Sequence, residues 1–334
     1  MRLPASATSC SVPHHRTHHR RGKRRGRAVP RNLYRPHHPF TADGAAVDLK
    51  ALERLVEFQI AEGIQGLIPL GSTGEFLSVS REERTAITET VVRVARECAG
   101  RTGAGRVPVL MGTGAEDTRE VVALSKEAEA LGADGVMIIP PYYSVPTEDE
   151  LFHHYKTVAD AIGIPIMVYN NPATANVDLL PATLARLSTI PNCRYVKEST
   201  LEVTRVRDIV ALCGDRMEVF AGVLGYESAW LGAVGWVAVC SNVAPRLSTE
   251  MFAAAAFEAD REKSLALYRR LAPLLPWVGG PRYVSGTKAA FRLMGMDMGA
   301  PRPPRLPLLE RDVPALARVL QEMGVTIAAR AAAE

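Results

Sequence analysis

Apolar and polar positions alternate regularly from about residue 40 to residue 260. Short apolar runs are followed by longer segments in which apolar residues recur at helical spacing. Strands that alternate with helices in this way indicate βαβ units around a parallel sheet. The predicted strands span residues 66–71, 107–111, 135–139, 165–169, 194–196, 217–221 and 235–239. The predicted helices span residues 47–62, 80–98, 118–131, 147–161, 179–187, 201–212, 226–233 and 245–259, and then 262–274, 285–294 and 311–323.

Seven strands, each followed by a helix, imply an eighth βα unit whose strand precedes residue 47. We therefore predict a (β/α)₈ barrel over residues 37–260 and a C-terminal helical extension over residues 261–334. The first strand is poorly specified, because residues 32–40 contain Pro36, His37, His38 and Pro39. Proline lacks the N–H group that an interior strand donates. We expect either a distorted strand over residues 32–40 or a coding sequence that begins differently.

The charge is distributed unevenly. The whole chain has 40 Lys and Arg against 36 Asp and Glu, but residues 1–36 hold ten of the basic residues and no acidic one. The remainder has 30 basic and 36 acidic residues, a net charge of −6, which gives no sign of nucleic-acid binding. Residues 1–36 are predicted to be a disordered extension. A nucleic-acid arm, a targeting peptide and a metal site at the histidine pairs stay open as functions for it.

The cysteines and the hydropathy bear on location. The five cysteines are scattered and show no C-x-x-C spacing, which argues against a disulfide framework and a zinc site. They fit a reducing compartment, and we expect a cytoplasmic protein. No run of 18 apolar residues occurs, so we expect no membrane partner.

Chemically unusual side chains follow four of the predicted strands. Ser72-Thr73, Tyr142-Tyr143, Tyr169 and Lys197 each lie at a strand end. In a barrel of this class the C-terminal strand ends carry the active site. A buried lysine there has a lowered pKa and attacks carbonyl carbons, and hydroxyl groups nearby can transfer protons.

These motifs, in this order, resemble the dihydrodipicolinate synthase/N-acetylneuraminate lyase family of class I aldolases. The resemblance covers about residues 40–324. Its carriers are Gly71-Ser72-Thr73-Gly74-Glu75, Gly112-Thr113-Gly114, Pro141-Tyr142-Tyr143, Tyr169-Asn170-Asn171-Pro172, Lys197-Glu198-Ser199 and Pro301-Arg302-Pro303-Pro304. It implies a (β/α)₈ barrel with a helical extension, usually assembled as a dimer of tight dimers.

The resemblance also implies residue roles. Lys197 is expected to form an imine with a 2-oxo acid such as pyruvate, and Tyr169 to shuttle protons. Thr73 is expected to relay protons, and Tyr143 to complete the relay from a neighbouring subunit. Ser72 and Thr73 are expected to hold the substrate carboxylate. The lysine supplies the covalent chemistry, so no metal or organic cofactor is expected.

The sequence departs from the family at the acceptor side of the site. Dihydrodipicolinate synthases usually carry an arginine where this chain has Thr174, and a glycine where it has Asn176. One hydroxyl cannot replace a bidentate charge clamp. The loop after Gly222 appears shortened and lacks an acidic pair, although Glu227 lies nearby. Thr174 and Gly222 are therefore predicted to contact substrate, with contacts specific to this chain.

These observations favour a 2-oxo acid aldolase or lyase that uses another aldehyde. Three alternatives stay open. The first is 4-hydroxy-tetrahydrodipicolinate synthase, and the second is a dehydratase of 2-keto-3-deoxy sugar acids that uses the same imine. The third is a catalytically silent barrel with a binding role. The expected partners are a small 2-oxo acid, an aldehyde and further copies of the chain.

Overall fold

The structure is a computed structural model that describes residues 32–34, 36–102 and 106–328. Strands and helices alternate along the barrel, as the hydrophobic pattern predicts. The strands are β1 (Asn32–Tyr34), β2 (Gly66–Leu67), β3 (Leu110–Gly112), β4 (Gly135–Ile138), β5 (Ile166–Asn170), β6 (Cys193–Glu198), β7 (Glu218–Ala221) and β8 (Gly235–Ala238). The barrel helices are α1 (Leu49–Ala61), α2 (Arg81–Thr102), α3 (Thr118–Ala130), α4 (Glu148–Ala161), α5 (Pro181–Leu187), α6 (Thr204–Cys213), α7 (Gly225–Trp230) and α8 (Pro245–Ala256). The C-terminal helices are α9 (Arg261–Leu271), α10 (Leu275–Gly279), α11 (Tyr283–Leu293) and α12 (Val313–Glu322).

The eight strands form one parallel sheet with the order β2-β1-β8-β7-β6-β5-β4-β3. An isolated parallel bridge between Leu67 and Val109 joins the two ends of this order, so the sheet closes into a barrel. The prediction of a (β/α)₈ barrel with a C-terminal helical extension is confirmed. Helix α10 was not predicted, because its Pro276 and Gly279 resemble loop residues.

The first strand is shorter than the expected range of residues 32–40 and occupies the beginning of that range. Residues Asn32–Tyr34 pair with both β2 and β8, so the predicted barrel start at residue 37 is wrong. Pro36 and Pro39 follow the strand and are therefore not required to donate ladder hydrogen bonds. His37 and His38 are fully buried beyond the strand end. The predicted disordered extension lies, up to residue 31, outside the described residues.

Side chains alternate between the inside of the barrel and the layer of helices. On β5, Met167 and Tyr169 belong to the apolar cluster inside the barrel, whereas Ile166 and Val168 belong to the larger cluster under the helices. This alternation follows from the two-residue period of a strand. The larger cluster also contains buried side chains of the C-terminal helices, which therefore share the core of the barrel.

Local signals in the sequence set several helix starts. Thr147 and Glu150 form a reciprocal capping box at α4. Ser80 and Glu83 make the same pair of hydrogen bonds, at 3.0 and 3.2 Å, before α2. Both caps lie at the first residues of the predicted helices 80–98 and 147–161 and explain where those helices begin. Across the described residues, every helix is too short or too polar to traverse a bilayer.

Candidate active site

Lys197 lies inside the barrel on β6 and is fully buried. Its Nζ atom lies 3.6 Å from the centroid of the Tyr169 ring. Tyr169 is the register partner of Lys197 on β5, so the two side chains extend from paired positions into the same interior. The strand pairing therefore brings together the two residues that the sequence predicted as nucleophile and proton shuttle.

A second pair, one residue further along, ties the two strand ends together. Asn170 and Glu198 are also register partners, and the Asn170 side-chain amide donates to a Glu198 carboxylate oxygen at 3.0 Å. The other Glu198 oxygen accepts from the Thr200 N–H at 2.8 Å. Because side chains alternate along a strand, this polar link lies outside the barrel interior and does not compete for Lys197. It fixes the relative position of Tyr169 and Lys197.

The loop after β2 carries Ser72 and Thr73 on a short 3₁₀ turn, Ser72–Gly74. Ser72 is half-buried and Thr73 is fully buried. The Thr73 hydroxyl has no hydrogen-bond partner among the described residues. Leu70 and Glu75, on either side of the turn, have φ angles of 58° and 54°, in the left-handed region. Strained backbone of this kind concentrates at functional sites.

His38 packs against this strained loop and accepts a hydrogen bond from it. The Leu70 N–H donates to His38 Nε2 at 3.2 Å, and a Cβ on Gly74 would lie 2.6 Å from the His38 ring. Burial is the main cause that lowers the pKa of His38 to about 3, and the positive charges of Lys288 and Arg84 contribute to this shift. The ring is therefore neutral and accepts the Leu70 hydrogen bond. The sequence analysis did not predict this role, because it assigned His38 to the poorly specified first strand, residues 32–40.

Gly222 lies at the end of β7, where the backbone of β6 comes close. Its N–H donates to the Glu198 carbonyl at 2.7 Å. A Cβ at this position would lie 1.8 Å from the Ser199 hydroxyl and 2.9 Å from the Glu198 carbonyl oxygen. Only glycine fits here without a shift of the backbone. The structure thus explains the glycine by packing, and its contact with substrate stays a prediction.

Tyr143 lies apart from Lys197 in the described chain, with its side chain 84% exposed. Its loop is nonetheless well anchored. Glu116 accepts hydrogen bonds from the N–H groups of Tyr142, Tyr143 and Ser144 at 2.9 to 3.0 Å. Burial raises the pKa of Glu116, but these hydrogen bonds outweigh it and the net pKa is lowered. The exposed phenol is thus presented on a fixed loop.

Asn176, which replaces a usual glycine of the family, belongs to the same arrangement. Its side-chain amide donates to the carbonyl oxygens of Tyr142 and Tyr143 at 3.3 and 3.0 Å. The substitution therefore links the segment that carries Thr174 to the Tyr143 loop. The sequence marked this departure without revealing its structural purpose.

Ser72 and Thr174 line one cleft of about 460 Å³. The cleft is also lined by Tyr142 and by four residues of the C-terminal extension, Tyr283, Arg302, Pro304 and Arg305. Thr174 is exposed, and its backbone N–H donates to the Asn171 carbonyl at 3.0 Å. The sequence analysis did not predict that the extension lines this cleft. The motif Pro301–Pro304, which it identified, was the one signal that could have indicated this.

Arg302 fastens the extension to the loops at the start of the barrel. Its guanidinium donates to both carboxylate oxygens of Glu83, at 2.6 and 2.7 Å, and lies 4.2 Å from the Phe40 ring. On the same ring, Lys288 Nζ lies 4.3 Å from the centroid and forms a buried ion pair with Glu75 at 3.2 Å. These contacts hold the loop that bears Ser72 and Thr73.

One further candidate residue, Glu227, lies elsewhere. Glu227 lies in the first turn of α7, and its carboxylate is 3.5 Å from the Tyr268 hydroxyl of the extension. Within the described ranges, no group of three or more His, Cys, Asp or Glu side chains is arranged to hold a metal ion.

Comparisons with known proteins agree with this arrangement. The sequence model of the Dihydrodipicolinate synthetase family matches residues 31–323. The 4-hydroxy-tetrahydrodipicolinate synthase of Acidiphilium cryptum is 41% identical over 275 residues, which cover 81% of this chain and 90% of that protein. The relative from Thermodesulfovibrio yellowstonii with the same name is 34% identical and covers 84% of this chain and 94% of its own length.

Solved structures show the same similarity in three dimensions. The chloride-inhibited dihydrodipicolinate synthase from Acinetobacter baumannii, complexed with pyruvate, superposes with a TM-score of 0.82 at 33% identity. The match covers 90% of this chain and 100% of that one. A prophage protein of the dihydrodipicolinic acid synthase family from E. coli K12, also in complex with pyruvate, gives a TM-score of 0.80 at 30% identity, over 90% of this chain and 100% of its own. The chain is therefore a member of the Dihydrodipicolinate synthetase family, a family of Schiff-base lyases.

Proposed function

We propose that the protein is a pyruvate-type 2-oxo acid aldolase or lyase in which Lys197 forms the imine. The observation that carries this proposal is the burial of Lys197 Nζ against the Tyr169 ring, 3.6 Å from its centroid. The amine adds to the keto carbon and water leaves. Loss of a proton from the adjacent carbon gives an enamine, which adds to an aldehyde, and water then releases the product. Cleavage follows the same steps in reverse.

Hydroxyl groups around the imine serve the proton transfers. The Tyr169 hydroxyl accepts a hydrogen bond from the Asn171 side-chain amide at 2.8 Å, which orients the phenol. Thr73 has a buried hydroxyl without a competing partner among the described residues. Ser72 and Thr73 supply N–H and O–H donors for the substrate carboxylate. These roles agree with those expected from the family motifs.

Borohydride trapping tests the imine. Wild-type protein incubated with pyruvate and borohydride should gain one adduct, and peptide mapping should place it on Lys197. Lys197→Ala should not be trapped, whereas Lys156→Ala, which removes a half-exposed lysine of α4, should be trapped normally. If no 2-oxo acid is trapped on the wild-type protein, the proposal is wrong.

A second candidate is 4-hydroxy-tetrahydrodipicolinate synthase. The names of the curated relatives at 34 to 41% identity favour it. Thr174 opposes it, because a hydroxyl stands where an arginine usually holds the acceptor carboxylate. Turnover of pyruvate with aspartate semialdehyde, compared with other aldehydes at equal concentration, separates this activity from the broader one.

We further propose that two copies of the chain share the site. An exposed tyrosine on a loop anchored by Glu116 is suited to reach a neighbouring subunit. A dimer, or a dimer of dimers, would deliver Tyr143 to the Lys197 of the partner. A cytoplasmic location is supported by the buried free thiols of Cys193, Cys213 and Cys240.

A further inference from the structure

The cleft that contains Thr174 also contains a half-buried arginine from the C-terminal extension, Arg305. We propose that Arg305 determines acceptor specificity by binding a carboxylate on the aldehyde substrate. This inference rests on the proposed function, because it concerns the second substrate of the same site. The cleft would then select aldehydes that bear an acid group, although the usual arginine position holds Thr174.

The other charges of the cleft are already neutralised. The Glu75 carboxylate pairs with Lys288 at 3.2 Å and accepts from the Arg302 N–H at 3.0 Å. The Arg302 guanidinium is paired with both oxygens of Glu83. For Arg305, in contrast, no carboxylate of the described chain lies within ion-pair distance. Arg305 therefore offers an uncompensated positive charge to a ligand in this cleft.

Arg305 is held in place before any ligand binds. Its guanidinium lies 5.3 Å from the centroid of the Tyr283 ring, and Nη2 is 3.5 Å from the Tyr283 hydroxyl. Its backbone N–H donates to the Arg302 carbonyl at 3.1 Å, so the well-anchored Arg302 also fixes the Arg305 backbone. A prearranged guanidinium loses little freedom when it binds a carboxylate in bidentate fashion.

The same contacts connect Arg305 to the 2-oxo acid side of the cleft. The Tyr283 hydroxyl donates to the Ser72 carbonyl at 3.1 Å. Arg305, Tyr283 and Ser72 thus form a continuous row along the wall of the cleft. If the carboxylate of a short aldehyde bound Arg305, its aldehyde group would extend along this row towards Ser72. Ser72 belongs to the loop that is proposed to hold the 2-oxo acid.

Kinetics with matched acceptors test the inference. We would compare succinic semialdehyde with butyraldehyde, which has the same chain length and no charge, using pyruvate as the donor. Arg305→Gln should lower kcat/KM for the acid aldehyde about 10- to 100-fold, the range of a charge-assisted hydrogen-bond pair, and leave the neutral aldehyde unchanged. Arg305→Lys should restore part of the loss, and adding Thr174→Arg to Arg305→Gln should restore preference for the acid aldehyde.

Arg311→Gln is the control, since it removes a largely exposed arginine from the same extension. The inference is overturned if Arg305→Gln affects both aldehydes equally, or if Arg311→Gln changes the preference as strongly. Borohydride trapping of pyruvate should be the same in both variants and in wild type, so failure of the imine chemistry would be recognised separately.

A binding measurement decides the question even if no imine is trapped. Calorimetric titration of the unreacted protein with glutarate should show affinity about 10-fold or more weaker in Arg305→Gln than in wild type or Arg311→Gln. Equal affinities in the three proteins would overturn the role of Arg305 independently of catalysis.

Discussion

At the scale of single residues, the candidate site contains several polar side chains that are buried inside the barrel. Thr73 is the clearest case, because its side chain is fully buried and its hydroxyl makes no hydrogen bond within the described chain. A buried polar group without a partner is costly for folding. The group therefore marks a place where function outweighs stability.

Thr73→Val should separate catalysis from folding. We expect kcat to fall about 100-fold or more, as for loss of a proton-transfer group. We expect the free energy of unfolding to stay the same or to rise by about 1 kcal/mol, since the lost hydroxyl had no protein partner. Steady-state kinetics and urea denaturation measure the two effects.

Thr113 provides the matched control, because its buried hydroxyl lies 2.9 Å from that of Ser125. Thr113→Val should destabilise the protein by about 1–3 kcal/mol and leave kcat nearly unchanged. A Thr73→Val protein that keeps full kcat would contradict the proton-relay role.

His38 is a second buried residue whose protonation state bears on this site, because its neutral ring accepts the hydrogen bond from the Leu70 N–H. Burial favours its neutral form in the folded protein, with a pKa of about 3 against an ordinary value of 6.5. The stability that results is complete above pH 6.5 and is lost as the pH falls from there towards 3. The unfolded chain binds the extra proton in this interval, so stability declines by about 1.4 kcal/mol for each pH unit.

Unfolding free energies of wild type and His38→Gln between about pH 6 and pH 4 test this linkage. The variant keeps a hydrogen-bond acceptor for the Leu70 N–H but cannot titrate. Its stability should therefore fall less steeply with acidification, by about 1.4 kcal/mol per pH unit. Burial also lowers the pKa of His154, to about 4, but this group is present in both proteins and cancels from the difference. Parallel pH profiles would refute the role of His38.

At the scale of elements, the register of β5 and β6 determines the geometry of the catalytic pair. Tyr169 pairs with Lys197, and Asn170 pairs with Glu198 one position later. We propose that the pair of Tyr169 and Lys197 serves the chemistry and that the pair of Asn170 and Glu198 positions it. A change in the second pair should therefore affect the first one through the strand ends.

Glu198→Ala should lower both stability and turnover. Removing the carboxylate leaves the buried Asn170 amide and the Thr200 N–H without this acceptor, at an expected cost of about 1–3 kcal/mol. Loss of register between Tyr169 and Lys197 should also reduce kcat. Denaturant melts and kinetics at saturating pyruvate measure these effects, with Glu89→Ala on the exposed face of α2 as control. Unchanged kcat in the Glu198 variant would show that the pair can tolerate a loosened strand end.

The elements themselves were largely readable from the sequence. Seven strands, their helices and two capping boxes follow from apolar periodicity and local polar signals. The first strand was poorly specified because its three residues, Asn32–Tyr34, are too few to show a period, and the prolines after them obscured its end. The contributions of Tyr283 and Arg305 were hidden for another reason: they depend on packing between residues more than 200 positions apart, which no local pattern records.

At the scale of the whole molecule, one chain leaves Tyr143 exposed whereas Lys197 is fully buried. If two copies share the site, defects in Lys197 and in Tyr143 lie on different chains and can complement each other. Mixing inactive Lys197→Ala with weakly active Tyr143→Phe after dissociation and reassembly should give hybrids with one intact site each.

In a 1:1 mixture half of the dimers are hybrids, so the expected recovery is about one quarter of wild-type activity. Each variant that is dissociated and reassembled alone should show no increase in activity. Sedimentation of the mixed samples confirms assembly, and a recovery no greater than the sum of the separate variants would mean that each chain uses its own residues.

The ion pair between Arg302 and Glu83 forms late in the synthesis of the protein. It closes a loop of 219 positions and joins the last part of the chain to the loops that follow the first strands. The barrel strands have all left the ribosome well before residue 302, but the wall of the cleft is completed only when the extension follows. Every barrel strand and Lys197 are therefore synthesised before the residues that complete this cleft, and products truncated before residue 302 would carry Lys197 without the surface proposed to select an acceptor.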